Sequence, residues 1–356
     1  MPARGFRRLP VARVDRLTSD AAAITFAVPA ELTAEFAFRP GQSLTLRRPD
    51  DPGDERRSYS ICAPAGEPLR IGVRQVPGGV VSGWLVGEVR PGDVVDVMAP
   101  SGTFTPDLPA SAGEHVLIAA GSGITPVLSI ASSLLAARAD TTVTLLYGNR
   151  RAGTVMFADE VADLKDAFPS RMQLVHVLSR EVQEVELFSG RLDAQKLREL
   201  LPVVTDPDRV AGWWLCGPLP MTEGAVAVLA EFGVPRSRIH RELFYVEDEP
   251  PAVVRHDDAG AAAGSGAEVT VILDGRKTTL TAPPGVAILD AAQSVRPDLP
   301  FACKGGVCGT CRARVVSGET EMRRNYALEP SEIDAGYVLT CQARPVSDAV
   351  TVDYDS

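Results

Sequence analysis

The stretch Cys303-Lys304-Gly305-Gly306-Val307-Cys308-Gly309-Thr310-Cys311 gathers three thiols into one short loop, and Cys341 follows from a separate part of the chain. C-x4-C-x2-C with a distant fourth cysteine is the ligand spacing of a [2Fe–2S] cluster. Two irons bridged by two sulfides need four thiolates, two on each iron. A loop can carry three of them only if its backbone turns sharply, and Gly305, Gly306 and Gly309 permit that turn and let amides approach sulfur. Amide donors aimed at sulfur help set the potential. The metal-ligand set is therefore Cys303, Cys308, Cys311 and Cys341. A structural zinc site usually shows two C-x2-C pairs, and this chain has one. A disulfide framework fits poorly with six cysteines in 356 residues.

These residues resemble the plant-type ferredoxin domain, over about 268 to 356. The resemblance implies a β-grasp-like fold there. The lead-in agrees with it: a strand at Glu268–Leu273, a turn at Asp274-Gly275, a strand at Thr278–Thr281 and a helix near Ile288–Ser294. A polar segment, 319 to 329, precedes Cys341. Such a domain stores and passes one electron, so the rest of the chain must supply electrons.

The length allows two or three domains, and a hydrophobic fraction of 45% supports cores of real size. A net charge of −10 with no basic face argues against nucleic acid as a partner. No apolar run has the length of a membrane span, and the first residues lack the apolar stretch of a secretory signal. The expectation is a cytoplasmic protein that engages no membrane. His115, His176, His240 and His256 lie far apart and are expected at surface or capping positions.

Residues 1–108 read as short strands separated by turns such as Arg39-Pro40-Gly41-Gln42 and Arg90-Pro91-Gly92-Asp93, with one helix near Ser82–Val89. That pattern predicts an antiparallel barrel. Two features in it carry chemistry. In Arg57-Ser58-Tyr59-Ser60 the aromatic ring can lie flat on a flavin and the guanidinium can hold a diphosphate. Val76-Pro77-Gly78-Gly79-Val80-Val81-Ser82 is a glycine loop entering a helix whose first amides can meet phosphate. From 109 to 246, apolar strands alternate with helices, which predicts a parallel sheet covered on both faces. Its first strand-to-helix turn is Gly121-Ser122-Gly123-Ile124-Thr125-Pro126, without the G-x-G-x-x-G fingerprint. Later strands end at Asn149-Arg150-Arg151, at Ser179-Arg180 and at Cys216-Gly217-Pro218, the carboxyl ends where open α/β sheets bind ligands. Cys62 reads as a buried strand cysteine, and for Cys216 that reading stays open. Residues 247–267, rich in Ala, Gly, Pro and acids, read as a mobile linker.

Together, R-x-Y-S, the G-G-x-x-S loop, G-S-G-I-T-P, C-G-P and Glu242-Leu243-Phe244 resemble the ferredoxin-NADP reductase superfamily over about 1 to 246. The resemblance implies that Arg57, Tyr59, Ser60, Val73, Gly78, Gly79 and Ser82 bind FAD. It implies that Gly121, Gly123, Thr125, Pro126, Asn149, Arg150, Arg180, Cys216, Gly217 and Pro218 bind NADPH. Phe244 lies at the flavin ring, and Tyr59, Ser60, Cys216 and Glu242 are the residues expected at the chemistry. The full set is multidomain, α/β and α+β: a flavin-binding barrel (1–108), a nucleotide-binding domain (109–246), a linker (247–267) and a ferredoxin domain (268–356). A hydride brings two electrons and a cluster takes one, so a flavin must stand between them. The chain then reads as an electron-transfer reductase whose acceptor is an oxygenase component protein. The order of domains and the segment EMRRNYALEPSEIDAGYVLTCQARPVSD resemble the reductase subunits of phenylacetyl-CoA epoxidases, with ketosteroid 9α-hydroxylase reductases sharing the layout. Asn325-Tyr326-Ala327-Leu328-Glu329 and Val352-Asp353-Tyr354 favour the first. A stand-alone NADPH diaphorase and an iron–sulfur scaffold or sensor are the other classes.

Overall fold

Turn chemistry and alternating burial give the first part of the chain its strands. The computed structural model describes residues 5–49, 54–244 and 266–356. It divides into two compact units, one formed mainly by residues 6–245 and one mainly by 246–356.

In the larger unit the first sheet contains β1 (Arg7–Thr18), β2 (Ala21–Phe26), β3 (Ser43–Arg47), β4 (Arg56–Ser60), β5 (Arg70–Arg74) and β6 (Val94–Val97), with helix α1 (Val80–Gly87) between the last two. Its order is β4-β3-β6-β1-β2-β5. A bridge between Ile61 and Ile71 joins the two ends, so the sheet closes as an antiparallel barrel, as the turn pattern predicts. Leu9, Ile24, Leu44, Leu46, Ile61, Ile71, Val95 and Val97 fill it.

A parallel sheet follows: β7 (Gly113–Ala120), α2 (Ile124–Ala137), β8 (Thr141–Asn149), α3 (Ala158–Ala167), β9 (Met172–Leu178), α4 (Ala194–Val204), β10 (Val210–Cys216), α5 (Leu219–Glu231) and β11 (Ile239–Glu242). The order β11-β10-β7-β8-β9 reverses beside β7, so the carboxyl ends of β7 and β10 flank the switch point where such sheets bind ligands. The sequence predicts a helix from Val155, but α3 starts at Ala158. Phe157 just before it is left-handed, with φ 57°, and sinks its ring into the core. That core mixes Ala21, Ala23 and Cys62 of the barrel with Leu117, Ile124, Leu145 and Trp214, so the two sheets share buried surface.

The smaller unit contains β12 (Ala267–Leu273), β13 (Arg276–Ala282), α6 (Ile288–Gln293), β14 (Arg312–Ser317), β15 (Thr320–Met322), α7 (Pro330–Asp334), β16 (Tyr337–Leu339), β17 (Ala343–Pro345) and β18 (Ala349–Asp353). Asp274 and Gly275 both have positive φ (53° and 69°), which gives the two-residue hairpin turn that matches strand twist. The sheet order is β13-β12-β18-β14-β16. β18 is central, parallel to β12 and antiparallel to β14, the β-grasp arrangement. The segment 319–329, polar in sequence, contains β15, which pairs with β17. Of the linker expected over 247–267, residues 247–265 lie outside the described residues, and β12 already begins at Ala267.

Candidate functional site

The switch point is built by close backbone contact. A Cβ at Gly123 would lie 2.1 Å from the Cys216 carbonyl oxygen and 3.0 Å from the Gly217 nitrogen. Only glycine lets the turn after β7 press on the end of β10. Gly121 takes φ 54°, and the buried Tyr147 hydroxyl donates to its carbonyl at 3.1 Å. Thr125 donates its hydroxyl to the Ser122 carbonyl at 3.0 Å, and Pro126 is buried in the first turn of α2. Among the described residues no side chain caps α2. Ile124 already donates its amide to the Gly121 and Ser122 carbonyls and Pro126 has none, so the amides this turn can offer an anion are those of Gly121–Gly123. Pro218 opens α5 after Gly217. The donor set fits a dinucleotide diphosphate.

Two strand ends meet beside this turn. The Ser179 amide donates to the Asn149 carbonyl and that of Arg180 to Arg150, at 2.9 and 2.8 Å. The exposed side chains of Arg150 and Arg180 therefore emanate from adjacent strands. Asn149 is buried.

The barrel brings its own residues to the same end. Ser60 Oγ donates to Glu242 Oε2 at 3.2 Å, and Glu242 pairs with Cys216 in the β10–β11 register. Ser60, Cys216 and Glu242, expected together at the chemistry, are brought together. Burial, and then the Glu242 carboxylate, push the Cys216 thiol well above its ordinary range, so it stays protonated. Burial likewise pushes Cys62 up to about 12, in keeping with a structural cysteine. Arg57 is exposed on β4, while Tyr59 packs partly buried against the barrel. Gly78 takes φ 74°. Gly79 sits at the start of α1, where a Cβ would come 2.6 Å from Ser82 Oγ. Ser82 accepts from the Val76 amide at 3.1 Å, so its hydroxyl holds the glycine loop together. Helix α1 also lacks a side-chain cap, and these residues fit a flavin nucleotide. The Val73 side chain faces the barrel core, which leaves only its main chain for a ligand. Phe244 is 37% exposed just beyond β11.

Sequence reasoning places a strand at Leu69–Val76, where β5 lies, but missed the role of its side chains. Its alternate residues Arg70, Gly72 and Arg74 face the nucleotide fold. Arg70 makes a bidentate pair with Glu160 at 2.8 and 2.7 Å. Burial works against the Arg70 charge, but the Glu160 bonds outweigh it and hold the group above its ordinary range. A Cβ at Gly72 would strike Thr125 Cγ2 at 2.4 Å. Arg74 donates to the Thr154 carbonyl at 2.7 Å and borders Gly121. The period-two pattern R-x-G-x-R was the available signal.

His115 departs from the surface or capping position expected of it. His115 is 4% exposed, donating from Nε2 to the Ser111 carbonyl at 3.3 Å and accepting from Trp214 at Nδ1. His240 stacks on Trp214 and His176 tilts on Tyr147. Burial lowers all three. Each lies on a strand whose inward face claims it; His256 lies outside the described residues.

In the smaller unit the four cysteines pair two and two. The neighbouring Cys308 holds the Cys303 thiol below its ordinary range, while Cys303 and burial push Cys308 up. Cys341 beside it, with burial, pushes the Cys311 thiol up. The Gly305 amide points at Cys303 Sγ at 3.3 Å. Among the described residues no three ligating side chains converge as they would on one ion. Two pairs of thiols with amide donors fit a two-iron cluster. Thr340 Oγ1 donates to the Cys311 carbonyl at 2.9 Å and accepts from the Tyr354 hydroxyl at 2.7 Å.

Residues 8–105 match an oxidoreductase FAD-binding domain, 117–227 an oxidoreductase NAD-binding domain and 271–346 a 2Fe-2S iron-sulfur cluster binding domain. The chain is 40% identical over 355 residues to a subunit of the 1,2-phenylacetyl-CoA epoxidase of Escherichia coli, covering 99% of this chain and 98% of that one. The chain belongs to the iron–sulfur oxygenase reductases of the ferredoxin-NADP reductase superfamily. This reductase is also 35% identical to the ferredoxin reductase component of 3-ketosteroid-9-alpha-monooxygenase from Rhodococcus rhodochrous, covering 97% of the chain and 96% of the relative. Its fold matches phthalate dioxygenase reductase with a TM-score of 0.61 at 23% identity, covering 98% of each chain. The reductase is an NAD(P)H-dependent flavin and iron–sulfur oxidoreductase with FAD-binding, NAD-binding and 2Fe–2S domains. Among its described residues no helix is long and apolar enough to cross a membrane.

Proposed function

We propose that this reductase carries electrons from NADPH to the oxygenase component of a phenylacetyl-CoA epoxidase, in the cytoplasm. The 40% identity to the Escherichia coli epoxidase protein, over 99% of this chain, carries the reading. The functional division is 1–108 for flavin, 109–246 for nucleotide, 247–267 for the linker and 268–356 for the cluster. Bound flavin supplies the conversion of a two-electron hydride into single electrons, and the bound cluster carries those electrons onward.

The chain's own residues position and shield. Arg57, Gly79 and the first amides of α1 would hold the flavin diphosphate, and Tyr59 would contact its ring system. The amides of Gly121–Gly123, just before α2, would hold the NADPH diphosphate. Arg150 and Arg180 receive the 2′-phosphate, in the role that an acidic residue fills for an unphosphorylated ribose. Ser60 and Glu242 hold one another where hydride passes, while Cys216 remains a neutral thiol that packs there without adding charge. Cys303, Cys308, Cys311 and Cys341 hold the cluster.

Reconstitution of NADPH-driven epoxidation of phenylacetyl-CoA with the oxygenase subunits tests the proposal. Turnover that requires this reductase is expected. Diaphorase activity alone, with no coupled epoxidation, would refute it. The 35% identity to a ketosteroid monooxygenase reductase favours a second reading, which coupled hydroxylation of a 3-ketosteroid would identify.

A further inference from the structure

Gln342 follows the fourth cysteine of the cluster set and is 2% exposed. Its Nε2 donates to the Lys304 carbonyl at 2.8 Å and points at Cys341 Sγ from 3.6 Å. The loop is shaped around it. A Cβ at Gly306 would come 3.1 Å from Gln342 Cγ, so the glycine makes room for the stem. Lys304 adopts φ 51°, a conformation unfavourable for a side chain with a Cβ, and the Gln342 amide secures its carbonyl. The Gln342 carbonyl accepts from the Arg323 amide at 3.1 Å, which fixes the backbone from the other side.

The amide keeps this orientation although, among the described residues, its Oε1 is buried without a hydrogen-bond partner. Turning it over would set Oε1 against two acceptors, the Lys304 carbonyl and the Cys341 sulfur, and would lose the bond to Lys304. The Nε2 group is therefore held between the Lys304 carbonyl and the Cys341 sulfur. Reduction adds negative charge to a cluster and its sulfurs. A fixed N–H dipole beside a ligating thiolate favours the reduced form over the oxidised one, and hydrogen bonds to sulfur are among the determinants of such potentials.

We propose that Gln342 is a positioning residue that raises the cluster potential through Cys341 and fixes Lys304 in its left-handed turn. The proposal rests on the cluster reading, which iron and sulfide content of the wild-type protein tests separately. The experiment uses the full-length holoprotein, with redox titrations followed by electron paramagnetic resonance and visible absorption. Gln342→Leu removes the donor at similar volume, and Gln342→Glu keeps the shape but replaces the donor with an anion. At a fixed poise the reduced-to-oxidised ratio is expected to fall about threefold in the Leu variant, about 28 mV at 59 mV per tenfold for one electron. A larger fall is expected in the Glu variant, with NADPH-to-ferricyanide activity unchanged in both. An unchanged ratio in either loaded variant would overturn the proposal. Loss of the cluster from both would also overturn it, because it would assign Gln342 to assembly rather than to the potential.

Discussion

Removing the Glu160 carboxylate tests whether the Arg70 pair holds the nucleotide fold onto the barrel. The two hydrogen bonds are short and parallel, at 2.8 and 2.7 Å. Arg70 retains 14% side-chain exposure and Glu160 39%. An exposed pair is worth under about 1 kcal/mol, and a hydrogen bond to a charged group about 1.5–3 kcal/mol. The half-exposed Glu160 places this pair between those cases, at about 1–2 kcal/mol. Arg70 would keep its place over the Phe157 ring, at 5.3 Å, and the more distant Asp15 carboxylate at 3.7 Å, which limits the loss. Glu160→Gln, Arg70→Met and the double variant form a cycle that isolates the pair from those neighbours. For a unit of this size, about 1–2 kcal/mol lowers a melting midpoint by about 2–8 °C. The assay is thermal unfolding read by release of flavin fluorescence, repeated at low and high salt. The coupling should shrink with salt, since Glu160 is partly in water. A coupling below about 0.5 kcal/mol at low salt would refute the idea that this pair clamps the two folds.

Gly123→Ala should raise KM for NADPH sharply while flavin stays bound, because the added methyl meets the Cys216 carbonyl; an unchanged KM would count against the contact. Glutamate at Arg150 or Arg180 should raise KM for NADPH more than for NADH, and equal effects would remove both from the 2′-phosphate site. Cys308→Ser should abolish the iron–sulfur signal yet leave most NADPH-to-ferricyanide activity, which that acceptor can draw from flavin. Since burial lowers His115, the unfolded chain binds its proton more readily. Its penalty is absent above the unfolded value of about 6.5 and grows as pH falls below it. His115→Asn should therefore flatten the loss of stability between about pH 6.5 and 5, followed by tryptophan fluorescence; an unaltered acid slope would contradict this.

The cluster ligands were legible because their chemistry demands fixed spacing along the chain. So were the barrel, the parallel sheet and the glycine turn after β7, which follow from local periodicity and turn chemistry. Contacts between distant elements were not. Nothing in the local sequence reveals that a second fold covers the face of β5 that carries Arg70 and Arg74. His115 looked like a surface residue until Trp214 arrived from a strand far along the chain. Phe157 belongs by propensity to α3, and its left-handed backbone is set by the core it enters. The segment 319–329 lacks apolar alternation, yet β17 recruits part of it as β15. Gln342 is one residue from a ligand, but only the folded loop shows where its amide points.

The central place of β18 orders events during synthesis. All four thiols precede this strand in the chain, so each emerges before the frame around them can close. Until β18 is available, β12 and β14 have no common partner, and the Thr340 hydroxyl lacks Tyr354. Domains fold as units as the chain appears, and non-local pairing of this kind is slow because chain ends must first be brought together. Iron and sulfide delivered earlier would meet a loose set of thiols rather than two ordered pairs. The geometry therefore sets a biosynthetic sequence, with the last strand first and the metal afterwards. A chain truncated before residue 349 carries every ligand and is expected to retain no cluster.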